Sequence, residues 1–165
     1  MSIMQEVDLL KRIPLFANIE TSKLKLLAFT SERLKFRAGD IVCEQNEMGD
    51  SAYIIMDGEA DVLVSTGGTP FRVATLRRND FVGEIAILCD VPRTATVRAK
   101  TDLVTLRITK DLFFRLITEF PQMAVEIMRV LALRLEKTTK DASRAEQRVR
   151  ELEALQAPSA PKTGA

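Results

Sequence analysis

The residues best suited to chemistry are Gly83-Glu84-Ile85-Ala86 and an arginine, Arg93, ten residues after the glycine. A glycine lets the backbone approach a ligand closely, and a helix that starts after it points unpaired N–H groups at an anion. The guanidinium of Arg93 can grip a phosphate through its fork of N–H donors. Glu84 offers an acceptor suited to a sugar hydroxyl. Together these features predict a pocket for a sugar phosphate.

Each of the two charged residues also has a simpler interpretation. Taken alone, Arg93 fits a solvated charge on a strand, and Glu84 fits an acid favoured by the dipole at a helix N-terminus. Their joint occurrence at this spacing favours the pocket.

The residue types that are missing narrow the chemistry further. The sequence has no histidine, the commonest metal ligand and general base, so histidine-dependent triads are excluded. Two cysteines, Cys43 and Cys89, are too few for a disulfide framework or a four-thiolate cluster, and we expect free, reduced thiols. We therefore expect no enzyme activity, no metal site and no cofactor.

Composition indicates a globular chain in the cytoplasm. With 165 residues, of which 46% are hydrophobic, one domain with a real core is expected. Its 24 basic and 23 acidic residues give a net charge of +1, which is no footprint for nucleic acid or an anionic membrane. Its apolar runs fall short of the roughly 20 residues that span a bilayer, and the N-terminus has no secretory pattern.

The segment 1–33 is predicted to be a helical element. Two short amphipathic helices are separated by Pro14, and the second is predicted to be capped at Thr21 or Ser22.

Residues 34–108 change to the period of short strands. Many short strands at this spacing are typical of a sandwich, a jelly roll or a small barrel. Gly39, Gly49 and Gly58 are interpreted as turn formers only. The segment VGEIAIL, inside this region, is interpreted as a short helical turn. The β-rich runs are LKFR, IVCE, AYIIMD, ADVLVS, FRVATL, TATVRA and LVTLR.

Residues 109–155 return to the helical period. Thr109 is a plausible N-cap for a first helix, and a long helix is predicted from about Pro121 to Leu155. The composition of residues 156–165 predicts a disordered tail.

The long helix carries a heptad pattern over four repeats, which predicts a marginal coiled-coil dimer through 124–155. In a parallel pair Asp141 and Glu146 would repel, while Arg148 and Glu153 would attract. The alternative is a single helix whose apolar stripe folds back on the β region. The a positions are Met128, Leu135, Ala142 and Val149, and the d positions are Leu131, Thr138, Ala145 and Leu152.

The stretch from Gly83 to Thr96 resembles the phosphate-binding cassette of the cyclic-nucleotide-binding domain family. The family pattern is Gly-Glu-[Ile/Leu]-Ala, a short gap, and then Arg, a small residue, Ala and Thr or Ser; this chain carries Arg93-Thr94-Ala95-Thr96. The resemblance continues over nearly the whole chain, through Ile13-Pro14-Leu15-Phe16 and the turns at Gly39, Gly49 and Gly58. One departure is Asn46-Glu47, where the family carries Gly-Asp.

The resemblance implies a mainly β protein with flanking helices. Its fold would be an eight-stranded, jelly-roll-like β-roll with N-terminal helices and a long C-terminal helix.

The resemblance also implies roles for individual residues. Glu84 would bind the ribose 2′-hydroxyl, and Arg93 would pair with the cyclic phosphate. Gly83, Ile85 and Ala86 would contribute backbone, and Thr94 and Ala95 would cap the phosphate with a hydroxyl and an N–H.

The base would lie elsewhere in the pocket. Val62 and Val73 would line it, and the long helix would cover it. Thr138 and Thr139 would contact the adenine amino group across a dimer, although a polar d position that tunes helix pairing explains Thr138 equally well.

The function implied is a sensor of cAMP or cGMP that signals through its C-terminal helix to a dimer or to an unidentified protein partner. Because only a ten-residue tail follows the long helix, we expect no winged helix-turn-helix and no direct DNA binding. An interaction module with a vestigial pocket, or one gated by a cyclic dinucleotide, is the alternative. Thr94 does not decide between cAMP and cGMP.

Overall fold

The computed structural model describes residues 2–158, so residues 159–165 of the predicted tail lie outside the described residues. The first helix, α1 (Ile3–Lys11), starts with a capping box: the Ser2 hydroxyl accepts from the Gln5 N–H, and the Gln5 side chain accepts from the Ser2 N–H. A 3-10 turn follows at Pro14–Phe16.

The predicted cap of the second helix is wrong. Helix α2 (Thr21–Thr30) has Glu20 at its N-cap, without a side-chain hydrogen bond. The backbone N–H groups of Lys23 and Leu24 both donate to the Glu20 carbonyl at 3.0 Å, so Thr21 and Ser22 already lie inside the first turn.

Eight strands form two antiparallel sheets of four, which confirms the predicted eight-stranded roll flanked by helices. The sheet orders are β1-β8-β3-β6 and β2-β7-β4-β5. Strand β1 starts two residues before the predicted boundary at 34, and the two-residue β6 is the strand that the periodicity did not reveal. The strands are β1 (Glu32–Phe36), β2 (Ile41–Cys43), β3 (Ser51–Asp57), β4 (Ala60–Val64), β5 (Phe71–Leu76), β6 (Phe81–Val82), β7 (Thr96–Ala99) and β8 (Leu103–Thr109).

The core of the roll draws residues from both sheets. Ile55 of β3 and Leu103 of β8 pack in one buried cluster with Ala60, Leu76 and Val97 of the other sheet. Strand β3 is buried from Ser51 to Met56, which makes it the innermost strand described. Apolar surface removed from water in this way is the main favourable term in folding.

The helices after the roll begin as predicted. The Thr109 hydroxyl accepts from the Leu112 N–H at 3.4 Å and caps α4 (Lys110–Glu119). Helix α5 (Pro121–Gln156) ends one residue after its predicted end. None of the helices among residues 2–158 is long and apolar enough to cross a membrane.

The chain divides into two compact units, residues up to Ala124 and residues from Val125. The first unit holds both sheets and helices α1 to α4, where α3 is Glu84–Cys89. The described part of the second unit is helical as far as Gln156, and its residues from Leu135 onward are all exposed.

Candidate ligand-binding site

Gly83 occupies a position that demands glycine. Its backbone is left-handed, with φ 93° and ψ 0°, and it is the N-cap of the short helix α3. A Cβ placed there would overlap the Arg93 Nη1 atom and would lie 3.0 Å from the Ser51 carbonyl oxygen. The helical turn that the sequence predicted after this glycine is therefore confirmed, and the missing side chain leaves room for an arginine.

Arg93 is buried, with 6% of its surface exposed. Its Nη2 donates to the Ser51 carbonyl at 2.7 Å and its Nη1 to the Gly83 carbonyl at 3.2 Å. The guanidinium carbon lies 5.7 Å from the centroid of the Tyr53 ring, within the range of a cation–π contact. This burial excludes the interpretation of Arg93 as a solvated strand charge.

The loop before β3 fixes the backbone of Arg93. The Arg93 N–H donates to the Glu47 carbonyl at 2.7 Å, and the Asn46 N–H donates to the Arg93 carbonyl at 2.8 Å. Asn46 has a φ of 72°, a left-handed conformation that asparagine tolerates better than most residues. The departure at Asn46-Glu47 is thus accommodated at the very turn that holds the arginine.

Gly49, on the same loop, lies directly against the Arg93 side chain. A Cβ at this position would overlap the Nε and Cζ atoms of Arg93. The interpretation of Gly49 as a turn former only is therefore wrong. We call Gly49, Ser51, Tyr53 and Gly83 the Arg93 cradle.

The start of β3 is anchored independently. Ser51 is fully buried, and its hydroxyl donates to the Asp50 carboxylate at 2.9 Å. That hydrogen bond, with a second one from Arg107 at 3.3 Å, lowers the pKa of the Asp50 carboxyl. These contacts hold in place the Ser51 carbonyl that accepts from Arg93.

Glu84 is the first residue of α3 and is 1% exposed. Its position in the first turn agrees with stabilisation by the helix dipole, and its burial distinguishes it from an ordinary surface acid at that position. Because Glu84 follows Gly83 directly, its backbone is adjacent to the carbonyl that binds Arg93.

None of the salt bridges described within residues 2–158 involves the guanidinium of Arg93. Its hydrogen-bond acceptors are neutral carbonyls. Burying a charge is costly, so an anion bound beside this guanidinium would stabilise the arrangement.

The positive charge of Arg93 also acts on Cys43. Burial raises the pKa of the Cys43 thiol, and the positive charge of Arg93 lowers it in opposition. Both Cys43 and Cys89 are free cysteines, as expected. Among residues 2–158, no group of three or more histidine, cysteine or acidic residues is placed to hold a metal ion.

The remaining predicted residues of the cassette follow Glu84 and Arg93 along the chain. Ile85 is 41% exposed on α3 and Ala86 is buried. Thr94 is exposed and Ala95 is half-buried, in the stretch that joins Arg93 to β7.

The residues predicted to meet a base are more scattered. Val62 packs partly against the core cluster, whereas Val73 is 48% exposed on the neighbouring strand, at a register shift. Thr138 and Thr139 are exposed on α5, in the second unit. Among the predicted site residues, the contact that the structure describes is therefore the hydrogen bond between Gly83 and Arg93.

The roles of three cradle residues, Gly49, Ser51 and Tyr53, were not predicted from the sequence. Their one signal was the Gly49-Asp50 turn before an apolar strand, which pointed to a turn and gave no hint of a partner more than forty residues away.

Comparison with known proteins places this geometry in context. The sequence model of the family described as "Cyclic nucleotide-binding domain" matches residues 33–120. The cAMP-dependent protein kinase regulatory subunit of Yarrowia lipolytica is 37% identical over 108 residues, 66% of this chain and 28% of that protein. The one from Schizosaccharomyces pombe is 33% identical over 122 residues, 74% of this chain and 28% of that protein. The chain thus spans little more than a quarter of these relatives.

Solved structures show the same fold. The catabolite activator protein of Thermus thermophilus superimposes with a TM-score of 0.71 and 22% identity, covering 81% of this chain and 63% of that one. A cyclic nucleotide-binding-like protein from Brucella abortus gives a TM-score of 0.58 and 25% identity, covering 69% of this chain and 98% of that one.

The geometry predicts a specific cost for filling the space at Gly49. In Gly49→Ala the new methyl group displaces the flexible Arg93 side chain, which breaks its two hydrogen bonds to the carbonyls of Ser51 and Gly83. Urea unfolding should show a free energy of unfolding lower by about 2 kcal/mol. The control is Gly68→Ala, where nothing lies within 4 Å of the new Cβ. Equal stability of the two variants would contradict the cradle.

Proposed function

Because the chain belongs to the cyclic nucleotide-binding domain family, we propose that it senses a cyclic nucleotide, cAMP or cGMP, and performs no chemistry on it. One observation carries this proposal: Arg93 is a buried cation whose hydrogen-bond acceptors are neutral, beside the glycine that opens α3. A cyclic phosphate would bring a negative charge to this guanidinium, which is largely shielded from water.

The binding step begins with the phosphate. Two of the five N–H donors of Arg93 hold the cradle carbonyls, and the others can face phosphate oxygens. Gly83, Ile85 and Ala86 would add backbone N–H groups at the start of α3, and Thr94 and Ala95 would add a hydroxyl and an N–H. The positive end of the helix and the guanidinium then act on the same anion.

The sugar and base complete the ligand. The Glu84 carboxylate would accept a hydrogen bond from the ribose 2′-hydroxyl, and Val62 and Val73 would contact the base. The exposed surface of Val73 fits this role, because a base can cover apolar surface that otherwise faces water. The names of the fungal relatives favour cAMP, and the residues themselves leave cGMP open.

We further propose that α5 transmits the binding event, by covering the base, to a second copy of the chain or to a protein partner in the cytoplasm. The net charge of +1 supports a protein partner rather than DNA, and free cysteines fit a reducing compartment. Leu135 and Val149 are 67% and 52% exposed, so the helix presents apolar surface for a homodimer through 124–155.

Thr138 and Thr139 have two candidate roles in this scheme. They can contact the base of a nucleotide held by the partner subunit, or they can belong to the helix seam. Both residues are exposed and thus accessible for either role.

Arg93→Ala should lose nucleotide affinity by about 30- to 1,000-fold, because the phosphate would lose a buried, charge-assisted partner. The nucleotide affinity of Arg93→Lys should lie between those of the natural chain and Arg93→Ala, since lysine keeps the charge and lacks the planar fork of N–H donors. Isothermal titration with cAMP and cGMP measures the loss, and Arg98→Ala, an exposed arginine on β7, is the matched control. Unchanged affinity in Arg93→Ala would remove the phosphate assignment, and binding of a cyclic dinucleotide alone would select the alternative ligand.

Glu84→Ala should weaken cAMP binding by about tenfold, less than the arginine variant, because a hydroxyl contact contributes less than a charge pair. Comparing two ligands in two proteins separates the loss of this contact from general damage to the fold. The natural chain should prefer cAMP over 2′-deoxy-cAMP, and Glu84→Ala should not distinguish them. Equal discrimination by both proteins would assign Glu84 another role.

A chain that ends at Ala124 should bind nucleotide more weakly than the full chain, because the base would lose its apolar cover to water. This shorter chain retains both sheets and the Arg93 cradle. Titration of the two chains side by side gives the ratio of affinities, and equal values would show that α5 is not the lid.

Dimerisation should depend on concentration, because alanines in the seam bury little apolar surface. Sedimentation at several protein concentrations measures it, with and without cAMP. Leu135→Lys should abolish the dimer, whereas Leu133→Lys should not, since Leu133 is 58% exposed but lies outside the a and d positions. A monomer at every concentration would contradict the homodimer.

A further inference from the structure

The exposed seam of the second unit has charges along both edges, and these charges bear on how two copies would pair. We propose that the helix pairs with a second copy in antiparallel orientation, with Ala142 opposite the partner's Ala145. This inference rests on the homodimer proposed above and adds the orientation and register of its two helices.

The surface itself runs along one side of an unbroken helix. Leu135, Val149 and Leu152, which occupy a and d positions, are 67%, 52% and 45% exposed, a large exposure for apolar residues on one face of a helix. Between them, Thr138, Ala142 and Ala145 are small. From Leu135 to Leu152 the seam is therefore wide at its two ends and narrow at its centre. Within this stretch size alone sets no direction, because either orientation places alanine against alanine and leucine against leucine.

Charge breaks this tie against the parallel arrangement. In a parallel pair each g position faces the e position of the next heptad on the other helix. Asp141 then faces the partner's Glu146, which is repulsive, and Arg148 faces the partner's Glu153, which is attractive. Since symmetry doubles both contacts, the two effects cancel.

The antiparallel arrangement removes the repulsion. Here g positions face g positions and e positions face e positions across the seam. With Ala142 opposite the partner's Ala145, Asp141 meets the partner's Arg148, and symmetry repeats this attraction at the other end. The acidic e residues meet uncharged ones, Glu146 beside the partner's Thr139 and Glu153 beside the partner's Ala132, and the two helix dipoles oppose each other.

The same charges select this register among antiparallel ones. A shift of one heptad in one direction places Asp141 beside the partner's Asp141. The opposite shift places Arg148 beside the partner's Arg148. Like charges at these edges disfavour both alternatives, and electrostatic complementarity of this kind commonly fixes the register of an interface.

The pairs of a and d residues in this antiparallel register place Thr138 in the seam. In this register Leu135 packs on the partner's Leu152, and Thr138 packs on the partner's Val149. Of its two candidate roles, Thr138 therefore has the one in helix pairing.

A single substitution separates the two orientations by the sign of its effect. Asp141→Arg would place arginine beside the partner's Arg148 in the antiparallel pair and should weaken dimerisation about tenfold. In a parallel pair it would remove the repulsion with the partner's Glu146 and would tighten the dimer. The double variant Asp141→Arg with Arg148→Asp should restore the antiparallel dimer, and sedimentation of the full-length chain measures all three proteins.

Distance measurement tests the orientation directly. A spin label on Ala154→Cys, in a chain carrying Cys43→Ala and Cys89→Ala, reports the separation of the two labels in the dimer. Parallel helices place the labels side by side, about 20–25 Å apart. Antiparallel helices offset them by 21 residues, about 32 Å along the axis, for a total of about 40 Å.

The outcomes are distinct. A distance near 40 Å together with a weaker Asp141→Arg dimer supports the proposal. A short distance, or a tighter Asp141→Arg dimer, overturns the orientation and leaves the dimer and the nucleotide sensor standing. A monomer at every concentration overturns the dimer as well, while titration with cAMP tests the nucleotide proposal independently.

Discussion

A single buried cation organises the candidate site, because the guanidinium of Arg93 is almost shielded from water and rests on neutral oxygens. Desolvating a charge costs several kcal/mol even after the surroundings relax, and two carbonyl dipoles repay only part of that cost. Such a site remains poised for an anion. The space left by glycine on both sides, at Gly49 and Gly83, gives the guanidinium one position, so that little ordering is needed when a ligand arrives.

The two sheets supply the rigidity on which this arrangement depends. Strand β3 is buried along nearly its whole length, and it carries both Ser51, whose carbonyl accepts from Arg93, and Tyr53, whose ring lies beside it. The opposite carbonyl belongs to Gly83, held between the short β6 and α3. A rigid strand and the start of α3 therefore meet at the side chain of Arg93.

Local patterns in the sequence predicted much of this. Strand runs, the helical turn after Gly83, the cap at Thr109 and the long C-terminal helix all follow from residues close to one another along the chain. Gly83 and Arg93, which the sequence assigned to one pocket, are joined by a hydrogen bond that the sequence did not predict.

What the sequence did not reveal depends on contacts between distant segments. The importance of Gly49 lies in a side chain more than forty residues away, and no local signal distinguishes it from the turn glycine at Gly39. Strand β6 has two residues, too few for any periodicity. The N-cap of α2 is Glu20, because the first helical hydrogen bonds are accepted by the Glu20 carbonyl. Thr21 and Ser22, whose side chains are better suited to capping, lie one and two residues later.

The central claim is the recognition of a cyclic phosphate by Arg93. A crystal structure of the chain grown with cAMP tests that claim most directly. The account predicts a phosphate oxygen at about 2.7–2.9 Å from a terminal nitrogen of Arg93, the separation typical of a charge-assisted hydrogen bond. A nucleotide bound with its phosphate away from Arg93 would contradict it.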